Sequence, residues 1–328
     1  GGKLGFYQFM QIALYDPDWG YYCRKTKPFG AKGDFTTAPE ISSLFSFTLA
    51  NQCKQILELS SGNDILEIGA GSGVLARDIL LYLSKQARLP TNYYILEQSA
   101  VLRSYQQQLL SKTIPEIMDI IIWVNSDNLP KVSGVVLANE VFDALPFKRI
   151  EISIDQLKEC CVSYDGQEFF WIKDDMDGKT LAMYEQYIKM PKSFPVDYQT
   201  ELHTSYPALL ESISDSMNEG VFLIIDYGTS RADYYNVDNN NGTMRCFFQH
   251  RIHDDPFKNI GFQDITCNVQ YSGLAQMAIK QSFDVLGYTT QTNFLLGNKI
   301  DELYNQQQTS ELIDSLKFAQ ELKTLTMP

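Results

Sequence analysis

Residues 65–73, ILEIGAGSG, constrain this chain more than any other stretch. A short apolar run enters a turn with glycine at 69, 71 and 73. The segment 74–83 that leaves it places Leu75, Ile79 and Leu83 on one helical face. Strand, glycine turn and helix in that order form the phosphate- or nucleoside-binding corner of doubly wound α/β sheets. The alternation continues downstream. Residues 93–96 predict a second strand, 99–110 a helix, 120–124 (IIIWV) a third strand and 135–138 a fourth. Near-continuous apolar strands separated by helices imply a mostly parallel, Rossmann-like sheet with helices on both faces. A chain of 328 residues with 44% hydrophobic content has ample material for such a core.

The pattern breaks after the fourth strand. Residues 148–172 predict antiparallel strands, and 178–217 predict helix, with prolines at 191, 195 and 207. The parallel pattern returns at 221–225 (VFLII), so about seventy residues form an insertion. Residues 236–242 predict a polar loop. A helix over 270–286, a strand over 289–296 and a polar helix over 299–323 are expected to close the fold. Ahead of the glycine turn, 6–22 and 41–59 predict helices around a loop rich in glycine, proline and threonine. The expected division is an N-terminal helical, cofactor-covering segment (1–59), a core (60–147 and 221–298), an inserted α+β subdomain for substrate or partner (148–220), and a C-terminal helix (299–328).

The turn's spacing narrows the ligand. The dinucleotide fingerprint is G-x-G-x-x-G, whereas Gly69, Ala70, Gly71, Ser72, Gly73 and Val74 read G-x-G-x-G with valine where the third fingerprint glycine belongs. Glu67, two residues before Gly69, opposes a pyrophosphate but suits a ligand bearing an ammonium and a sulfonium. S-Adenosylmethionine is such a ligand. Glu97, followed by Gln98 at the end of the second strand, is placed to accept bonds from both ribose hydroxyls. Asp127, after the third strand, marks the adenine position.

The acceptor is expected beyond the carboxyl ends of the strands, where strand order reverses. There the sequence reads ANEVFDALPFK (138–148), with Asn139, Glu140 and Asp143 at the rim. Methyl transfer requires an aligned nucleophile with an available lone pair. Two carboxylates suit a cationic nitrogen, and a planar carboxylate clamps a guanidinium in bidentate fashion. Glu140 is therefore the expected clamp and proton acceptor, with Asp143 assisting or, alternatively, capping a helix near Ala144. Asp226, in the Asp226-Tyr227-Gly228 motif after the fifth strand, faces the same site or caps a turn.

Five motifs in this order carry a resemblance: GDFTTAPEIS (33–42), EIGAGSG (67–73), ANEVFDALP (138–146), DYG (226–228) and GTMRCFFQHRIHDDPF…GFQDIT (242–266). Together they resemble the MidA-like family of methyltransferases over nearly the whole chain. The resemblance implies a class I methyltransferase fold. It also implies, from the family's mitochondrial member, symmetric dimethylation of an arginine in a respiratory complex I subunit. It further suggests that Asp34, Thr37 and Pro39 lie near the cofactor; an ordered loop packed for stability is the alternative. The chain departs from the family at 268–271, where Asn-Val-Gln-Tyr stands for a His-Val-Asp-Phe-like segment.

The formal charge of −13 disfavours nucleic acid as substrate, and no apolar run is long enough to span a membrane. His250 and His253 beside Asp254 and Asp255 invite a metal, but Pro256 follows at once and no third ligand declares itself. A loop shaping the acceptor pocket, with Arg245 and His250 bonded inside, is the expectation. Six cysteines without a C-x-x-C pair read as reduced thiols. Residues 1–20 lack a basic, then apolar, leader, so the cytoplasm is expected, or the mitochondrial matrix if a transit segment precedes. A protein acceptor is the expected partner. A non-catalytic cofactor-binding assembly factor, a small-amine methyltransferase and, more distantly, an NAD oxidoreductase are the rival readings.

Overall fold

The computed structural model of the chain describes residues 2–24, 36–153, 156–188, 197–307 and 312–327. It divides into two compact units. One comprises residues 29–139, 215–225 and 286–328, and the other residues 1–28, 140–214 and 226–285.

The first unit is built on five parallel strands: Asp64–Ile68, Asn92–Leu96, Ile121–Val124, Val132–Asn139 and Met217–Ile225. In space they run fifth, fourth, first, second, third. The chain thus starts at the centre, winds to one edge, then crosses to the other side. The switch lies between the first and fourth strands, paired from Asp64↔Gly134 to Ile68↔Ala138. Their carboxyl ends, at Ile68 and Asn139, flank the position where ligands bind in such sheets. Ile65, Tyr93, Ile95 and Leu137 from the strands share one core with Leu49 and Cys53 of helix Ser43–Leu59 and Ile79 and Leu83 of helix Val74–Lys85. Burial of each such side chain contributes about 1.5–3 kcal/mol.

The second unit holds an antiparallel sheet. Strand Leu157–Tyr164 pairs with Lys148–Ile152, Lys3–Gly5 and Phe169–Asp175, and Lys148–Ile152 pairs also with Tyr198–Leu202. Helix Phe6–Tyr15 buries Phe6, Phe9, Met10, Ala13 and Leu14, a complete i, i+3, i+4, i+7, i+8 stripe. The Phe6 ring meets Phe147 and Trp171 at centroid distances of 5.4 and 4.9 Å. A small sheet of Arg251–His253, Arg245–Phe248 and Asp264–Thr266 and the two-residue pair Gly228–Thr229 with Val269–Gln270 complete it.

Two sequence expectations are corrected. Residues 178–217 are not all helix: Gly178–Tyr187 and Tyr206–Ser216 are helical, but Tyr198–Leu202 is a strand. Prolines 191 and 195 lie outside the described residues. Tyr198, Thr200, Glu201 and Leu202 are all buried, and pairing with Lys148–Ile152 outweighs the flanking helical composition. The strand expected over 289–296 is instead the helix Gln291–Gly297. The Thr290 hydroxyl caps it by accepting from Asn293 N at 3.3 Å, a Ser/Thr start signal that the apolar pair Phe294-Leu295 masked.

Candidate active site

The glycine turn lies wholly within the parallel-sheet unit. Gly69, Gly71 and Gly73 take φ of 65°, 53° and 84°, left-handed values that only glycine adopts without cost. Gly69 N–H bonds Leu96 O at 2.9 Å, stitching the turn to the second strand. Gly73 starts helix Val74–Lys85, and a Cβ there would sit 3.3 Å from Gln106 Cα and Cγ. The Ser72 hydroxyl donates to the Glu40 carboxylate. Glu40 belongs to the short helix Ala38–Ile41, in which Pro39 is buried and for which half-buried Thr37 is the N-cap. Asp34 lies outside the described residues.

Glu97 is 7% exposed. Its Oε1 accepts from Ser99 N at 3.0 Å and its Oε2 from Gln106 Nε2 at 3.1 Å. Burial pushes its carboxyl up, against those hydrogen bonds. The same Gln106 amide also donates to Gly71 O at 3.0 Å, while its oxygen accepts from Trp123 Nε1 at 2.9 Å. One fully buried glutamine thus ties the glycine turn to the carboxylate after the second strand and to the third strand. The sequence reading missed it. The available signal was a polar residue inside the buried stripe Leu102, Gln106, Leu110. Glu67 does not stand open at the turn. It is 2% exposed, accepts from Tyr93 Oη at 2.7 Å, and burial pushes it up to about 7. Gln98 and Asp127 are exposed, the latter on the 3-10 turn Ser126–Asn128. Ala70 is buried in the turn, and Asn139 closes the fourth strand with its Oδ1 buried and without a hydrogen-bond partner among the described residues. A left-handed glycine turn, a fixed carboxylate after the second strand and an orphaned amide oxygen at the switch point fit a nucleoside cofactor.

The carboxylates lie in the other unit. Glu140 has φ of 51°, a left-handed conformation costly for a non-glycine residue. The next three residues explain how it is held. Asp226 Oδ2 accepts from Val141 N, Phe142 N and Asp143 N at 3.1, 2.8 and 3.2 Å, and its Oδ1 from Tyr227 N at 2.8 Å. Burial pushes Asp226 up while those four amides pull it down. Asp143 is 8% exposed, and its Oδ1 has no partner among the described residues. Burial raises its carboxyl well above the usual range, and the charges of Asp226, Asp264 and Glu140 add to that. No helix starts at Ala144, so Asp143 caps none. Buried Asp264, which the sequence reading did not select, accepts from Tyr22 Oη at 2.8 Å.

Two smaller expectations change. Arg245 is exposed, and His250 sits at a hairpin tip rather than inside a pocket. Gln249 and His250, with φ of 48° and 58°, form the two-residue turn between Arg245–Phe248 and Arg251–His253. The departure at 268–271 also has a local account: Gln270 is buried and caps helix Tyr271–Lys280, accepting from Gly273 N at 2.6 Å.

A parallel sheet in this order, entered through a left-handed glycine turn with a buried glutamate after the second strand, defines a class I methyltransferase fold that uses S-adenosylmethionine. A family model described as S-adenosyl-L-methionine-dependent methyltransferase matches residues 48–289, and the chain belongs to that family. The match bears out the MidA-like resemblance. The chain is similar to a protein of known structure from Burkholderia thailandensis bound to S-adenosyl-homocysteine. That likeness has a TM-score of 0.92 and 31% identity, covering 100% of this chain and 84% of that one. It is 29% identical to "Protein arginine methyltransferase NDUFAF7, mitochondrial" of Danio rerio, over 92% of this chain and 74% of the relative. The Homo sapiens protein of that name is 25% identical, over 92% and 71%. These mitochondrial names stand against the cytoplasmic expectation. Among the described residues no helix is long and apolar enough to cross a membrane.

Proposed function

We propose that this methyltransferase acts on the guanidinium of an arginine in a protein, a respiratory complex I subunit being the client that the family resemblance implies. The observation that carries the reading is the carboxylate cluster of Glu140, Asp143, Asp226 and Asp264, which begins one residue after Asn139 at the end of the fourth strand. So much buried negative charge is unfavourable unless a proton or a cation answers it. The naming of the curated relatives as protein arginine methyltransferases supports the same acceptor.

The roles divide by unit. On the sheet side, the glycine turn and Asn139 hold the cofactor, Glu97 binds its ribose, and Gln98 and Asp127 border the adenine. Glu67, buried against Tyr93, supports the strand that leads into the turn, and Thr37 and Pro39 cover the cofactor. When bound, S-adenosylmethionine supplies an electrophilic methyl group. On the acceptor side, Glu140 receives the guanidinium through paired N–H···O bonds. A guanidinium nitrogen that gains a methyl must shed a proton, and Glu140 accepts it. Asp143, whose carboxyl burial and its acidic neighbours push up, has an oxygen without a partner among the described residues and shares the charge of the bound cation. Asp226 acts as a positioning residue, because its oxygens already hold the turn that presents Glu140. The inserted residues 148–220 serve as the docking surface for the protein acceptor. The relatives' names favour a mitochondrial compartment.

The test is transfer of tritiated methyl from S-adenosylmethionine into proteins of a cell lysate, with Glu140→Gln alongside. One labelled band that yields methylarginine on hydrolysis and vanishes in the variant supports the reading. Label in a small molecule, or none from protein that binds cofactor by calorimetry, replaces it with an amine methyltransferase or an assembly factor.

A further inference from the structure

The segment Asp226-Tyr227-Gly228 is pinned on all sides. Asp226 O accepts from Tyr271 Oη at 3.0 Å, and Tyr227 O accepts from Val269 N at 2.7 Å. Tyr227 N donates to Asp226 Oδ1. Gly228 pairs with Val269 so closely that a Cβ would lie 2.2 Å from Val269 O. Yet the side chain at the centre of this rigid segment, Tyr227, is 60% exposed. Such a ring adds little to a core, and a fixed backbone denies it the freedom to fold away.

Its neighbour explains the placement. One Asp226 carboxylate accepts from the amides of residues 141–143 and from the Tyr227 amide, so the turn that follows Glu140 and the Tyr227 backbone lie against the two oxygens of one side chain. The result is an exposed aromatic face and a glutamate of left-handed backbone, φ 51°, carried on one scaffold.

We infer that the Tyr227 ring is the face against which the acceptor's guanidinium lies while Glu140 binds its N–H edge, and that this pairing selects arginine over lysine. The inference rests on the arginine reading above and adds to it the residue that sets acceptor specificity. A guanidinium is flat, weakly hydrated and stacks on aromatic faces, whereas an ammonium is a compact, strongly hydrated point charge.

The experiment uses the full chain saturated with S-adenosylhomocysteine, carrying 13C-labelled tyrosine rings, with N-acetylarginine amide and N-acetyllysine amide as probes. Tyr227→Phe assigns the ring signal by its loss. The arginine probe is expected to shift the Tyr227 resonances and to bind tighter than the lysine probe. Tyr227→Leu is expected to weaken arginine-probe binding about tenfold and erase the preference, while Tyr227→Phe keeps both. S-Adenosylhomocysteine affinity should be equal in all three proteins, which excludes a folding defect. Equal probe affinity in Tyr227→Leu overturns the inference, as does an equal loss in Tyr227→Phe, which would assign the effect to the hydroxyl. If wild-type protein labels arginine in the lysate but binds neither probe through Tyr227, the arginine reading stands and this one fails. Label on an amino acid other than arginine ends both.

Discussion

Glu67 offers the sharpest test of the sheet unit, because its environment fixes both a sign and a size. The side chain is 2% exposed and lies beside Cys53, which is fully buried; its Oε2 accepts from Tyr93 Oη at 2.7 Å. Burial dominates and raises its pKa from 4.5 to about 7, the Tyr93 bond opposes, and the charge of Glu97 adds a little. In the unfolded chain the same carboxyl ionises near its ordinary value. Between the two values the folded state holds a proton that the unfolded state has lost, so stability falls as pH rises. The contribution is fully present below about pH 4.5 and is gone above about pH 7. Applying 1.36 kcal/mol per unit to the titration between pH 5 and pH 8 gives about 2.5 kcal/mol.

Glu67→Gln keeps an acceptor for Tyr93 and nearly the same volume, but does not titrate. Other groups titrate too, so the informative quantity is the difference between variant and wild type. Urea unfolding followed by circular dichroism at pH 5 and pH 8 should show that difference moving by about 2.5 kcal/mol in favour of the variant at the higher pH, at unchanged denaturant slope. A difference that stays constant within about 0.5 kcal/mol, near the resolution of such comparisons, would falsify the burial argument. It would mean that Glu67 ionises as freely folded as unfolded.

Other perturbations probe neighbouring parts. Gly73→Ala forces φ of 84° on a residue with a Cβ and drives that atom to 3.3 Å from Gln106; it should cost about 1–2 kcal/mol of stability and weaken S-adenosylhomocysteine binding at least tenfold by calorimetry. Gln106→Ala strands the Trp123 indole N–H and removes a donor from Glu97 and Gly71, so thermal unfolding should report a loss of about 1–3 kcal/mol together with weaker cofactor binding. Asp226→Asn leaves one oxygen to serve four amides; turnover should fall far more than cofactor affinity, whereas equal losses would mean a general unfolding instead. Methyl transfer should also decline as pH falls through neutrality, because Asp226, which burial pushes up to about 7, then loses the charge with which it holds the turn after Glu140, and the decline should persist in Glu67→Gln.

Much of the first unit was legible because its signals are local and periodic. The strand Asp64–Ile68 stands where its apolar run predicts, and the turn glycines take the left-handed angles that their spacing implies. Residues 178–217 and 289–296 were misread where local composition competes with pairing or capping: Tyr198–Leu202 is a strand because Lys148–Ile152 lies alongside, some fifty residues away in sequence. The site shows the same division. That a carboxylate stands before the glycine turn and after the later strands is written in the sequence, but what each carboxylate does depends on partners far along the chain. Asp226 reads equally as facing the site or capping a turn until its oxygens are seen to hold the amides of residues 141–143, more than eighty positions earlier. Glu67 reads as open to the turn until Tyr93 and the helix carrying Cys53 enclose it.

Both cases share a cause. A charged residue near a motif is informative only once its hydrogen bonds are counted, since a carboxylate oxygen that serves several amides has less left for a substrate. By that count Asp226 supports, Asp143 retains an oxygen without a partner among the described residues, and Glu140 carries the backbone strain that sites of chemistry tolerate. If Glu140 is the clamp, relieving its strain should separate position from charge. Glu140→Gly removes both strain and carboxylate, whereas Glu140→Asp keeps the charge, which aspartate tolerates better at positive φ, on a shorter reach. Stability should therefore rise by about 1 kcal/mol in the glycine variant while turnover is lost. The aspartate variant should keep stability yet lose most turnover, because the carboxylate no longer reaches the nitrogen. Near-normal turnover in the glycine variant would remove Glu140 from the chemistry and leave its left-handed turn a matter of folding alone.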